Sequence, residues 1–128
     1  MSNSSTLNGS TAKTYDRNYL LESVDGNAEI AREIVALYVN ESPAMIGRLA
    51  KLIELEDTEA IESAAHRLKG AMLAIGARAA AIAAELEEHA EAGELDRCRE
   101  KFALLTLEAK ALNQALIDGE LGGAHPAS

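Results

Sequence analysis

The chain has 128 residues, with 12 lysines and arginines against 21 aspartates and glutamates, so its formal net charge is −9 with the three histidines neutral. That length suits one domain, and the charge repels a phosphate backbone; no basic stripe interleaved with aromatics offsets it, which excludes a nucleic-acid partner. Apolar residues make up 48% of the chain but aromatics only 3%, with no tryptophan, so alanine and leucine must supply the packing, a composition that favours helix.

Residues 1–14 are rich in Ser, Thr, Asn and Gly and cannot repay their own ordering entropy; they are expected to form a flexible tail. The tail lacks the apolar core of a secretory signal. Residues 16–24 carry Tyr19, Leu20 and Val24 at helical spacing after a possible Asp16 cap, and stop at Asp25-Gly26-Asn27. From Ala28 onward Ile30, Ile34, Leu37, Tyr38, Met45, Leu49, Leu52 and Ile53 keep an i, i+3/i+4 rhythm. Pro43 interrupts it, removing an amide and crowding the preceding turn, which predicts either one kinked helix or two helices meeting at Ser42-Pro43.

Asp57 or Thr58 can cap a third helix reaching about Ala74, with Gly76 as its stop. A fourth runs over residues 77–92 and closes at Gly93. The last begins near Glu94 or Leu95 and lines up Leu95, Phe102, Leu105, Ala109, Leu112 and Leu116. No alternating β-branched run suggests a strand. The expected fold is all-α: an antiparallel up-down four-helix bundle over residues 15–120 with a short additional N-terminal helix. Residues 121–128, with two Gly and a Pro, are expected to form a second flexible tail.

The longest apolar runs, such as Ala79 to Ala84, fall far short of the roughly 20 residues a membrane crossing needs. Cys98 is the one cysteine, so neither an internal disulfide nor a thiolate metal cluster is available, as suits a reducing compartment. Its expected role is that of a small, partly buried apolar residue. The reading is a cytoplasmic monomer.

On a helical wheel of residues 58–74, Ile61, Ala64, Ala65, Leu68, Met72 and Ile75 gather within roughly 60° of one direction. His66 lies about 140° away and Gly70 about 180° away, so His66 projects into solvent. A helix-interior glycine costs roughly 1 kcal/mol relative to alanine, and Gly70, one turn after His66, clears the surface beside the imidazole. Leu73 adds an apolar side chain to the same surface. Pairing residues across a hairpin centred on Gly76-Ala77 sets Glu88 opposite His66 and Glu85 opposite Lys69. Glu88 would then share a close-approach face with Ala77, Ala81 and Ala84. A carboxylate there can hold the proton of one ring nitrogen and leave the other as a nucleophile.

The stretch Ala65-His66-Arg67-Leu68-Lys69-Gly70, followed by Ile75-Gly76-Ala77, resembles the signature of the histidine phosphotransfer (HPt) domains of bacterial phosphorelays. Val39-Asn40-Glu41-Ser42-Pro43 and Leu86-Glu87-Glu88-His89-Ala90-Glu91-Ala92-Gly93 extend the resemblance over the whole ordered body. It implies that His66 takes a phosphoryl group from one receiver-domain aspartate and passes it to another, without an ATP site. It also implies that Lys69 balances the phosphoryl charge, that Gly70 admits the partner's loops, and that the Glu88 position hydrogen-bonds the imidazole. Where some members carry a further basic residue, Ala92 stands here, leaving Lys69 and Arg67 as the nearby cations.

The partners implied are response-regulator receiver domains and a sensor or hybrid histidine kinase, with specificity carried by Glu59, Glu62, Arg67 and Leu73 around the histidine. Any Mg²⁺ would come from the receiver's acidic pocket, so no metal or cofactor of its own is expected. A nucleotide-binding glycine loop is absent. A di-iron bundle would need Glu-x-x-His pairs, but Ser63 and Leu86 stand three residues before His66 and His89. His89 is expected as a hydrogen-bonded structural histidine and His125 as an inert tail residue. The rival function is a bundle that binds a receiver or kinase as an adaptor without turning over phosphate; it would have no need of His66, Lys69, Gly70 and Glu88 together. The initial Met1 and the tail after it suggest a free-standing protein over a piece of a hybrid kinase.

Overall fold

The computed structural model describes residues 14–119; the two expected tails lie outside them except for Thr14. Five helices follow one another: α1 (Arg17–Ser23), α2 (Ala28–Glu54), α3 (Thr58–Ala74), α4 (Ala80–Glu91) and α5 (Leu95–Asp118). No extended strand occurs among the described residues. Three starts are fixed by side-chain caps: Asp16, Asn27 and Asp57 each accept the backbone N–H three residues on, at 3.0, 3.1 and 3.1 Å. Short reversals at Asp25-Gly26, Glu56 and Gly93 use positive φ and turn each helix back on the last. The four long helices pack as an antiparallel bundle.

Leu20, Leu49, Ile61, Leu68, Met72, Ile75, Leu86, Leu105, Leu112 and Leu116 are fully buried and form one continuous core. Burying a Leu or Ile side chain contributes roughly 1.5–3 kcal/mol. Aliphatic side chains thus supply what the missing aromatics do not. In α3 the buried line is the one the wheel gives, with Ala64 half-buried at its edge. Cys98 is fully buried rather than partly so, and burial pushes its thiol up.

Helix α2 takes one of the two arrangements expected at Pro43 and corrects the expected buried line. It is a single helix through Pro43, whose ring sits on the exposed side, so the loss is confined to one backbone bond. Its buried line in the first half is Ala31, Val35, Tyr38 and Ser42, while Ile30 and Leu37 are 43% and 58% exposed. Two lines of helical spacing compete there, and the smaller residues win because they let α2 approach its neighbours. Ser42 is buried and accepts a hydrogen bond from Asn113 Nδ2 at 3.1 Å, tying α2 to α5.

The turn between α3 and α4 also departs from expectation. Residues 77–79 are not helical. Ala77 forms an isolated antiparallel bridge with Tyr15, the Arg78 N–H donates to the Thr14 carbonyl at 2.9 Å, and the Asp16 N–H donates to the Gly76 carbonyl at 2.8 Å. Backbone groups that would have opened the fourth helix are spent on the N-terminal segment instead. Thr14, placed in the tail by the sequence, is buried in this contact. Gly76 makes it possible: its φ is +67°, and a Cβ there would lie 3.0 Å from the Tyr19 ring and 3.2 Å from the Asp16 carbonyl.

Candidate functional site

Helix α3 carries His66 on the face turned away from its buried line, and the imidazole is 65% exposed. Its Nδ1 lies 2.9 Å from Glu87 Oε2. The other oxygen of the same carboxylate, Oε1, lies 2.8 Å from Lys69 Nζ. One carboxylate on α4 therefore holds two side chains from successive turns of α3. The Lys69 ammonium, hydrogen-bonded to it, holds the Glu87 carboxyl below the usual carboxylate range against the opposing effect of burial, and His66 adds to the lowering. An ionised carboxylate only accepts, so the neutral ring places its proton on Nδ1 and leaves the Nε2 lone pair free.

Glu87, not Glu88, is the imidazole's carboxylate partner. Glu87 and Glu88 stand at nearly the same level of the hairpin and differ by about 100° of helix rotation. Ala77, part of the face expected to carry Glu88, is outside the helix, so it says nothing of which way α4 faces. The face that approaches α3 is marked by Ala80, Ala83, Glu87 and Ala90, at spacings of three and four, and all but the glutamate are buried. Ala81 and Glu88 belong to the exposed side. The same rotation moves Lys69 from its expected partner Glu85 to Glu87. Glu85 pairs instead with Lys101 of α5 at 2.9 Å, and that ammonium holds its carboxyl low. The spacing of alanines in α4 was the signal that could have found Glu87.

The remaining expected residues surround the ring. Glu59, Glu62 and Arg67 line, with Asp57, Ser63, His66 and Glu87, an open depression at the α3 N-terminal side. Gly70 and Leu73 lie on the other side of His66. A Cβ at Gly70 would meet nothing within 4 Å, so no packing within the chain requires glycine there. Leu73 is 51% exposed. His89 is hydrogen-bonded as expected, its Nδ1 2.7 Å from Glu94 Oε1, with the side chain 27% exposed. Among the described residues no group of three or more His, Cys, Asp or Glu side chains is gathered to hold a metal ion. No helix among them is long and apolar enough to cross a membrane.

The all-α bundle thus presents a solvent-facing histidine held by a carboxylate of the neighbouring helix. The chain belongs to the Hpt domain family, whose family model matches residues 33–115, more than half of its length and all of α3 and α4. Domains of this family take part in histidine phosphotransfer in phosphorelay signalling, lack the ATP site of a kinase, and interact with receiver domains and histidine kinases. No curated protein and no solved structure matches the chain significantly.

Proposed function

We propose that His66 is the phosphoryl-accepting residue and that the chain relays the group between receiver-domain aspartates. The observation that carries this reading is the exposed imidazole held at Nδ1 by Glu87, with Lys69 on the same carboxylate. Nε2 attacks the phosphorus of an aspartyl phosphate; the P–N bond forms as the P–O bond breaks, and the electron pair leaves on the aspartate carboxylate. The ring keeps its Nδ1 proton throughout and becomes a phosphoimidazolium, whose positive charge faces Glu87. No proton has to move, so catalysis reduces to placement and charge balance. A receiver's acidic pocket would supply Mg²⁺ for the phosphoryl oxygens.

Gly70 and Leu73 on one side, and Glu59, Glu62 and Arg67 on the other, form the surface on which receiver domains and a sensor or hybrid histidine kinase would dock. The bare backbone at Gly70 lets a partner's loops come close to Nε2, and Leu73 offers apolar area. Incubation with a phosphorylated receiver domain tests the reading. The chain should gain an acid-labile, base-stable label, and His66→Ala should abolish it while leaving the thermal melt unchanged. Label persisting in H66A would place the site elsewhere, and binding without any label would make the chain an adaptor.

A further inference from the structure

Glu87 has one negative charge and two claimants. One carboxylate oxygen lies 2.8 Å from the Lys69 ammonium and the other 2.9 Å from His66 Nδ1. Lys69 stands three residues after His66 on the same helix, so its flexible stem can reach either the carboxylate or the ring's outer nitrogen. Once Nε2 carries a phosphoryl group, a dianion appears beside the same ammonium. The other charged side chains of the depression that His66 lines are Asp57, Glu59, Glu62 and Arg67.

Resting on the carrier reading of His66, we propose that Glu87 and the phosphoryl group compete for Lys69, so that this carboxylate sets how long the phosphohistidine survives. Hydrolysis joins the oxygen of water to phosphorus while the P–Nε2 bond breaks; the electron pair returns to Nε2 and both water protons leave with the phosphate. In a loose transition state the phosphoryl oxygens shed charge, so an ammonium resting on them stabilises the ground state more and slows cleavage. Each moment Lys69 spends on Glu87 withdraws that protection. The carboxylate keeps the phosphoryl group easy to pass on, and a neutral amide at the same place would let Lys69 guard it.

The whole chain, phosphorylated with the small donor phosphoramidate, tests this by the decay of the phosphohistidine signal in ³¹P NMR. Wild type, E87Q, K69A and the double variant are compared after circular dichroism has confirmed that each folds. A K69Q pair, which keeps most of the side-chain stem, repeats the comparison should K69A melt early. The lifetime ratio of E87Q to E87 should be about two- to fivefold larger with Lys69 present than in the K69A background, the worth of one partly exposed ion pair. Any effect of E87Q on ring protonation alone is the same in both backgrounds. Equal ratios, or a smaller ratio with Lys69 present, overturn the competition. Failure of the wild type to take phosphate on His66 overturns the carrier reading and the competition together, a result distinct from equal ratios.

Discussion

His66 is legible from sequence because a helical wheel needs only the buried line of its own helix, and that line in α3 is unambiguous. Its partner is not, because neighbouring glutamates differ by about 100° of rotation, and only the packing of α4 chooses between them. The choice has a direct consequence. Glu87→Ala removes the acceptor for the Nδ1 proton and the anchor of Lys69, and should slow phosphotransfer about ten- to hundredfold, the worth of a hydrogen bond to a charged group. Glu88→Ala, on the exposed side, should change the rate by no more than about twofold. Stopped-flow transfer from a phosphorylated receiver to the two variants separates them, and equal losses would return Glu88 to the site.

The helices themselves follow from spacing and caps: Asp16, Asn27 and Asp57 begin α1, α2 and α3 where a cap residue precedes an apolar repeat. What spacing could not give is α4's start. A run of alanines favours helix at every position from Ala79 to Ala84, and the residues before it are withdrawn by a contact from far along the chain, the bridge of Ala77 to Tyr15. The first half of α2 misled for another reason: bulky Ile30 and Leu37 match a helical period as well as Ala31 and Val35 do, and only the closeness of neighbouring helices favours the smaller pair. Gly76 anchors the junction of N-terminal segment and hairpin. Gly76→Ala meets both a positive φ and a crowded Asp16 and Tyr19, and should cost at least about 1–2 kcal/mol in urea denaturation. A loss below a few tenths of a kcal/mol would mean that the N-terminal segment moves aside without cost.

The fold class was legible because a bundle demands little more than four amphipathic helices and short turns. The net charge of −9 says which partners the surface repels but not where one docks. The proposed docking surface rests on the juxtaposition of α3 and α4, which brings an imidazole, an ammonium and a carboxylate together on one face. Nothing in this arrangement requires the chain to contribute more than a nitrogen nucleophile of fixed tautomer and a nearby cation. The most direct measurement is therefore heteronuclear NMR of the phosphorylated chain, locating phosphorus on a particular ring nitrogen. The account predicts phosphorus on Nε2 of His66 with the proton retained on Nδ1. Phosphorus on Nδ1, or on any residue other than His66, would contradict it.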